Sequence, residues 1–190
     1  MPIITVTLIE GYDRSLHTAL ATALSHTACA LTGADPDGVT IVINEVATDN
    51  YMRGGRHKTP GRPPRRGRDI VHKYLNAMEA RDLDRARDFL AQDFTMIFPG
   101  SRKFRTLEEL CDWAAGRYRH IAKDYEQFDE IPGEGGSIVY CHGTLHGEFP
   151  DGTAFSGIRF IDRFEIVSEK LSRQQVWNDL GEHLTDRQAL

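Results

Sequence analysis

The sequence predicts an α+β protein of two modules, a βαβ unit followed by a larger domain whose helices precede a bent antiparallel sheet. Three observations predict it. Near the start, a helix-length amphipathic run separates two β-branched apolar runs, which implies a parallel, right-handed crossover. In the second half, helical periodicities come first and long strand-like runs with hairpin turns follow. Between the halves lies Arg56-His-Lys-Thr-Pro-Gly-Arg-Pro-Pro-Arg-Arg-Gly-Arg68, with three prolines, two glycines and no large apolar residue. Such a segment reads as a semi-extended linker. The predicted division is therefore 1–55, a linker at 56–68, and 69–190.

Residues 3–9 are β-branched and apolar, as a buried strand should be. Leu16, Ala19, Leu20, Ala23, Leu24, Thr27, Ala28 and Leu31 then recur at helical spacing, with Asp13 placed to cap the helix and Gly33 to stop it. Residues 39–46 form the second strand. One βαβ unit of this size buries too little surface to stand alone, so its sheet is expected to pair with another copy. Beyond the linker, helices are predicted over 69–80, 82–91 and 106–122, and a strand over 93–98. The longest helix rests on Leu107, Leu110, Trp113, Ala114, Tyr118 and Ile121. Three long strands are predicted near 136–147, 153–167 and 170–180, with Glu148-Phe-Pro-Asp-Gly-Thr153 as a hairpin turn. A bent sheet around helices commonly leaves an apolar pocket.

Composition narrows the class. The chain has 190 residues, 40% hydrophobic and 27% charged, as ordinary globular proteins do. No apolar run approaches the roughly 20 residues of a membrane span. No basic segment followed by an apolar one marks a secretory signal. Cys29, Cys111 and Cys141 have no metal-type spacing and read as reduced thiols, so a cytoplasmic location is expected. Net charge is -5, yet residues 56–68 hold six bases and no acid. Acids predominate on both sides, so this run reads as a solvated linker and no nucleic-acid partner is expected.

Pro2 carries the most chemistry. Loss of the initiator methionine would leave its nitrogen as a secondary amine. In an apolar site near cations the protonated form is destabilised, giving a base poised for keto–enol proton shuttling. The alternative is an ordinary second residue. Its surroundings favour the former: Pro2-Ile-Ile-Thr-Val-Thr-Leu-Ile-Glu-Gly11, the amphipathic helix, and Asn50-Tyr-Met-Arg-Gly-Gly55 over residues 2–60 resemble the 4-oxalocrotonate tautomerase family. The resemblance implies a subunit that assembles into dimers and hexamers, Pro2 as acid/base, and Tyr51 as the aromatic that keeps water from the amine. It also implies arginines where this chain has Tyr12 and Thr40. Arg53 is the better substitute and Arg14 the second; the alternatives are a loop charge and a solvated helix-start charge.

In the second module, Ser156, Ile158, Phe160, Asp162 and Phe164 share one strand face, which sets Asp162 in an apolar row. A carboxylate there is either paired, with Arg159, Arg163 or Arg173, or shifted toward neutrality as a general base. Tyr140, His142, Thr144 and His146 share another face. His142 and His146 are too far apart along one strand to chelate together, so no metal is expected. His142 is either a proton carrier or a hydrogen-bonded structural histidine. The helix Asp69–Ala80, Asp93-Phe-Thr-Met-Ile-Phe-Pro-Gly100, the long hairpin and Val176-Trp-Asn-Asp-Leu180 resemble the SnoaL-like branch of the nuclear transport factor 2-like superfamily. The resemblance covers residues 69–185. It implies a cone-shaped domain and, as in the cyclases, an aspartate acid/base, on Asp162 or Asp179. Trp177 lies on the face of Asp179, which could instead cap a terminal helix. Tyr118, Tyr125 and Trp113 line either pocket or core, and Glu108, Glu109, Glu130 and Glu134 read as solvated acids.

The expected function is a cofactor-independent tautomerase acting on an enolisable carbonyl compound, with Pro2 as base. The second domain would bind or process a related hydrophobic metabolite. Two alternatives stand beside it: a SnoaL-like cyclase or hydratase on a tautomerase platform, and a non-catalytic small-molecule carrier. A homo-oligomer, dimer or hexamer, is expected.

Overall fold

A computed structural model describes residues 1–183. It divides into two compact units, Met1–Pro63 and Pro64 onward. Among the described residues no helix is long and apolar enough to cross a membrane.

In the first unit, β1 (Ile3–Ile9) pairs in parallel with β2 (Thr40–Val46), Ile3 opposite Thr40 and Ile9 opposite Val46. The crossover is α1 (Arg14–Thr32). Asp13 caps it, accepting the Leu16 N–H at 2.8 Å, and Gly33 closes it at φ 69° with its N–H on the Cys29 carbonyl. Alternation along β1 leaves Ile4, Val6 and Leu8 half-buried and Ile3, Thr5 and Thr7 exposed. No residue of α1 is fully buried, and Ile3 and Leu31 are 71% and 82% exposed. Two strands with one covered face are too little for a core. Past a turn, β3 (Met52–Arg53) and β4 (Arg56–His57) form a hairpin whose turn residues Gly54 and Gly55 have φ of 61° and 69°. Two successive left-handed residues make a type I′ turn, which is why two glycines stand there. Arg56 and His57 thus belong to this hairpin.

The second unit runs α2 (Gly67–Glu79), α3 (Leu83–Arg87), β5 (Leu90–Phe98), β6 (Arg102–Phe104), α4 (Leu107–Ala115), β7 (His120–Gly133), β8 (Gly136–Glu148), β9 (Ala154–Val167) and β10 (Lys170–Asn178). Its six strands lie in the order β6-β5-β10-β9-β8-β7. The sheet is not purely antiparallel as expected, because β5 and β10 run parallel. Register shifts at Tyr125/Gln127, Leu145/Gly147 and Leu171/Arg173 bend it. The helix expected over 106–122 stops at Gly116, and the chain enters β7 when the Arg119 N–H bonds the Glu148 carbonyl at 2.8 Å. Tyr118 and Ile121 therefore follow the helix rather than extend it. The helix expected over 82–91 is likewise cut short, since Leu90 already begins β5.

The core lies between α2 and the inner sheet face. Tyr74 meets Phe94 and Phe164 edge-on at 6.2 and 6.1 Å between ring centroids, a geometry that ring quadrupoles favour. Val71, Val139 and Leu171 are fully buried around them. Glu130 of β7 is not a solvated acid. Its carboxylate accepts the N–H groups of Gly67 and Arg68 at 2.7 and 3.2 Å and the Ser137 hydroxyl at 2.8 Å. It thereby caps α2, whose N-cap residue Arg66 contributes no side-chain bond. Gly67 permits that approach: a Cβ there would lie 2.3 Å from Ser137 Oγ and 2.7 Å from Glu130 Oε1.

Candidate functional site

Between α2, α4 and the inner face of β7 the second unit holds a cavity of about 270 Å³. The bulge after Tyr125 sets its far wall: Ile121, Lys123 and Tyr125 alternate inward, and one extra residue then brings Phe128 and Glu130 inward as well. Tyr74, Met78, Phe98, Tyr118 and Tyr125 make most of the lining aromatic or soft. Burial pushes the hydroxyls of Tyr74, Tyr118 and Tyr125 above the usual phenol range, so all three remain donors near neutrality. Glu79, Arg81, Arg119 and Lys123 supply charge, and His120 lines the cavity beside them. Arg119 is tied to Glu148 at 2.6 Å.

One polar network reaches this wall from behind. Asp162 is fully buried, and its Oδ2 receives the Lys123 ammonium and, at 3.4 Å, the Gln174 side-chain N–H. The Tyr74 hydroxyl donates to Gln174 Oε1 at 3.1 Å. Asp162 Oδ1 is buried with no hydrogen-bond partner among the described residues. Desolvation dominates and raises the Asp162 carboxyl above the ordinary range, against the pull of Lys123 and Gln174. Lys123, Gln174 and Tyr74 line the cavity, whereas Asp162 does not and meets it only through them. Its charged partner is thus Lys123, not Arg159, Arg163 or Arg173. Lys123 escapes the sequence reading because β7 does; its inward place in Ile121-x-Lys123-x-Tyr125 is the available sign.

The remaining candidates of this unit lie elsewhere. His142 alternates with the buried Val139, Cys141 and Leu145, so it faces away from the cavity, with Nδ1 3.5 Å from Glu126. Trp177, 49% exposed, is on that outer face too. Asp179 pairs with Arg159 at 2.6 Å. Beyond it the Leu180 N–H goes to Asn178 Oδ1 at 3.2 Å, and the terminal helix expected there extends outside the described residues. The outer positions follow from strand parity: β10 points Gln174 and Val176 inward and Trp177 outward. Among the described residues no group of three or more His, Cys, Asp or Glu could hold a metal ion.

The first unit has a second, shallower pocket, lined by Thr7, Ile9, Tyr12, Tyr51, Arg53 and Lys58 among others. The Arg53 guanidinium approaches the Tyr51 hydroxyl at 3.4 Å, and the Lys58 N–H bonds the Tyr51 carbonyl at 3.2 Å. Two cations and no acid face this pocket, a setting suited to an anionic oxygen. Lys58, assigned to the linker by sequence, joins the pocket through the hairpin. Arg14 is exposed at the first turn of α1 and does not line it. Pro2 stands at the opposite end of β1, its carbonyl accepting the Thr40 N–H at 3.0 Å. Seven strand residues at about 3.3 Å each put roughly 20 Å between that end and the pocket. A single protomer therefore does not bring Pro2 to Arg53 and Tyr51.

Both units match known families. The family described as tautomerase enzyme matches residues 2–59, and that described as SnoaL-like domain matches residues 71–174. A "Probable tautomerase" of Staphylococcus epidermidis is 37% identical over 59 residues, covering 31% of this chain and 97% of the relative. Another, of Ralstonia nicotianae, is 36% identical over 66 residues, covering 35% of this chain and 94% of the relative. Among solved structures, an NTF2-like protein of unknown function from Burkholderia pseudomallei superimposes with a TM-score of 0.54 at 15% identity, over 63% of this chain and 95% of its own. TerC, co-crystallised with polyporic acid, superimposes with a TM-score of 0.53 at 13% identity, over 63% and 95%. At such identity the structures speak for fold alone. The chain belongs to the tautomerase family over its first unit and to the SnoaL-like family over its second. Its general activity falls among the isomerases.

Proposed function

We propose that this chain is a cofactor-independent isomerase in which the amine of Pro2 moves a proton between carbon and oxygen of an enolisable carbonyl compound. The observation that carries the reading is the tautomerase match from residue 2 to 59, which begins on the proline itself. The chemistry needs a secondary amine, so it needs Met1 removed. Arg53, with Lys58 beside it, steadies the developing oxyanion, and Tyr51 excludes water. Because Pro2 and Arg53 occupy opposite ends of β1, a second copy completes the site. The open face carrying Ile3 is the surface available for that pairing. In the SnoaL-like unit the aromatic cavity binds a related hydrophobic ring compound. A small-molecule substrate and a homo-oligomeric protein follow.

The test is ketonisation of phenylenolpyruvate, followed by ultraviolet absorbance on protein whose mature N-terminus is confirmed by mass. Pro2→Ala is expected to lower the rate by about two orders of magnitude or more, the usual scale of a lost general base. Equal rates in both proteins would remove Pro2 from the mechanism. The buried network of Asp162, Lys123, Gln174 and Tyr74 favours a second reading, in which the SnoaL-like unit carries its own acid/base chemistry and the first unit serves as an assembly platform.

A further inference from the structure

We propose that Lys123 is a nucleophilic amine in the cavity wall, condensing with a carbonyl carbon of a β-dicarbonyl ligand while Asp162 accepts and returns the protons. The proposal rests on reading the cavity as the site of an enolisable ring compound; it is independent of Pro2.

Four of the five lysines, Lys58, Lys73, Lys103 and Lys170, are exposed. Lys123 is not: its side chain is 20% accessible and lines the cavity. Two contacts fix its amine, the Asp162 carboxylate and the face of the Phe160 ring, 4.3 Å from nitrogen to centroid. A surface lysine would lose much of its rotamer freedom in reaching one geometry, and here that loss has already been incurred in folding.

The carboxylate is an inefficient structural partner. A buried ion pair offsets its desolvation only when its remaining lone pairs are satisfied, and no described residue bonds Asp162 Oδ1. A carboxyl that takes up a proton during a reaction has less need of partners on both oxygens. In water an ammonium keeps its proton from a carboxylate by about six pKa units. Burial narrows that gap from the carboxylate's side. The Phe160 ring holds the resting ammonium in place, and Asp162 is the acceptor within reach when a carbonyl arrives.

The steps balance without an external reagent. Asp162 takes a proton from the Lys123 ammonium, and the free amine adds to the carbonyl carbon to give a carbinolamine. Asp162 returns the proton to the carbinolamine oxygen; the C–O bond breaks, water leaves, and an iminium forms. The carbon between the two carbonyl positions then loses a proton to Asp162. The product is a neutral conjugated enaminone, one water and a protonated Asp162. A β-dicarbonyl suits the cavity for two reasons. Its enaminone is flat and uncharged, like the aromatic lining. Its second oxygen is an acceptor for Tyr118 or Tyr125, whose hydroxyls burial keeps protonated.

The test uses the full chain with 2,4-pentanedione, following the near-ultraviolet absorbance of the enaminone and mapping the adduct by peptide mass. Lys123 is expected to react about tenfold or more faster than the four exposed lysines. Asp162→Asn should slow that phase by at least about tenfold, and Lys123→Met should abolish it. Because all lysines are compared within the wild-type protein, the comparison does not depend on a variant folding. Labelling of Lys123 no faster than its exposed counterparts overturns the proposal. Fluorescence binding of 1-naphthol, a ring compound without a carbonyl, separates the two ways of failing. If naphthol binds and Lys123 stays unlabelled, the cavity reading stands and the amine chemistry falls. If neither occurs, both fall.

Discussion

Replacing Glu130 by alanine should unfold the second unit at distinctly lower denaturant, although sequence reading places this residue among solvated acids. Its carboxylate holds two N–H groups of the first turn of α2 and the Ser137 hydroxyl, at 2.7 to 3.2 Å. Among the described residues no other side chain caps that helix's first turn. A lost cap costs about 0.5–2 kcal/mol, and hydrogen bonds to a charged group about 1.5–3 kcal/mol. These describe the same contacts and are not added, so the expected loss is about 2 kcal/mol. Glu130→Gln keeps an acceptor but gives up the charge at the positive helix end, for about 0.5–1 kcal/mol. Trp113 and Trp177 are the only tryptophans and both lie in the second unit, so selectively excited tryptophan fluorescence reports that unit alone. With a urea slope of about 2 kcal/mol per molar, the alanine midpoint should fall by about 1 M and the glutamine midpoint by about a quarter to a half of that. An alanine variant indistinguishable from wild type would refute the capping role. A glutamine variant as damaged as alanine would refute the division between bonding and charge. Because α2 carries Tyr74, Met78 and Glu79 into the cavity wall, the same variant should also weaken ligand binding there.

Two further outcomes are expected. Burial raises the Asp162 carboxyl in the folded protein, so the folded chain binds the proton more tightly than the unfolded chain. This contribution is complete below the unfolded value, about 3.9, and is lost as pH rises through the folded one; the wild-type advantage over Asp162→Asn in urea unfolding should therefore shrink from about pH 4 upward. An advantage that grows with pH would show that Lys123 outweighs desolvation. Light scattering at micromolar concentration should give a dimer or hexamer, and Ile3→Asp on the open face of β1 should reduce it to smaller species; a wild-type monomer would exclude a shared Pro2 site.

The first unit is legible in sequence because its signals are local. Asp13 and Gly33 mark both ends of α1, and strand–helix–strand order leaves one sensible topology. The Gly54-Gly55 turn is equally local, yet its partner strand hides inside a run whose prolines and charges look like linker. In the second unit, sequence misses the short β6 and, with greater consequence, β7. Tyr118 and Ile121 continue the helical spacing of α4 by coincidence, and the bulge after Tyr125 breaks the period of two that would reveal the strand. Losing β7 loses Lys123 and Glu130 together. Asp162 is found, since its own strand alternates cleanly, but its partner is not. Trp177 and Asp179 share a face as expected. Parity cannot say which face is inner until Gln174 and Val176 are seen to be buried.

The fusion gains a chemical reason from the difference between the two amines. A simple enol, with no second carbonyl in conjugation, has no electrophilic carbon at its hydroxyl position, so the Lys123 amine cannot condense with it there. Ketonisation makes that carbon a carbonyl, and this is the reaction proposed for Pro2. A tautomerase linked to an imine-forming cavity would thus supply the reactive form of a substrate that relaxes between tautomers in water. A short linker raises the effective concentration of one site toward the other into the millimolar range. That helps most when uncatalysed ketonisation is slow. Asp162 has no need to touch the cavity: from behind Lys123 it leaves a cation facing the ligand and keeps the proton acceptor within reach of the amine.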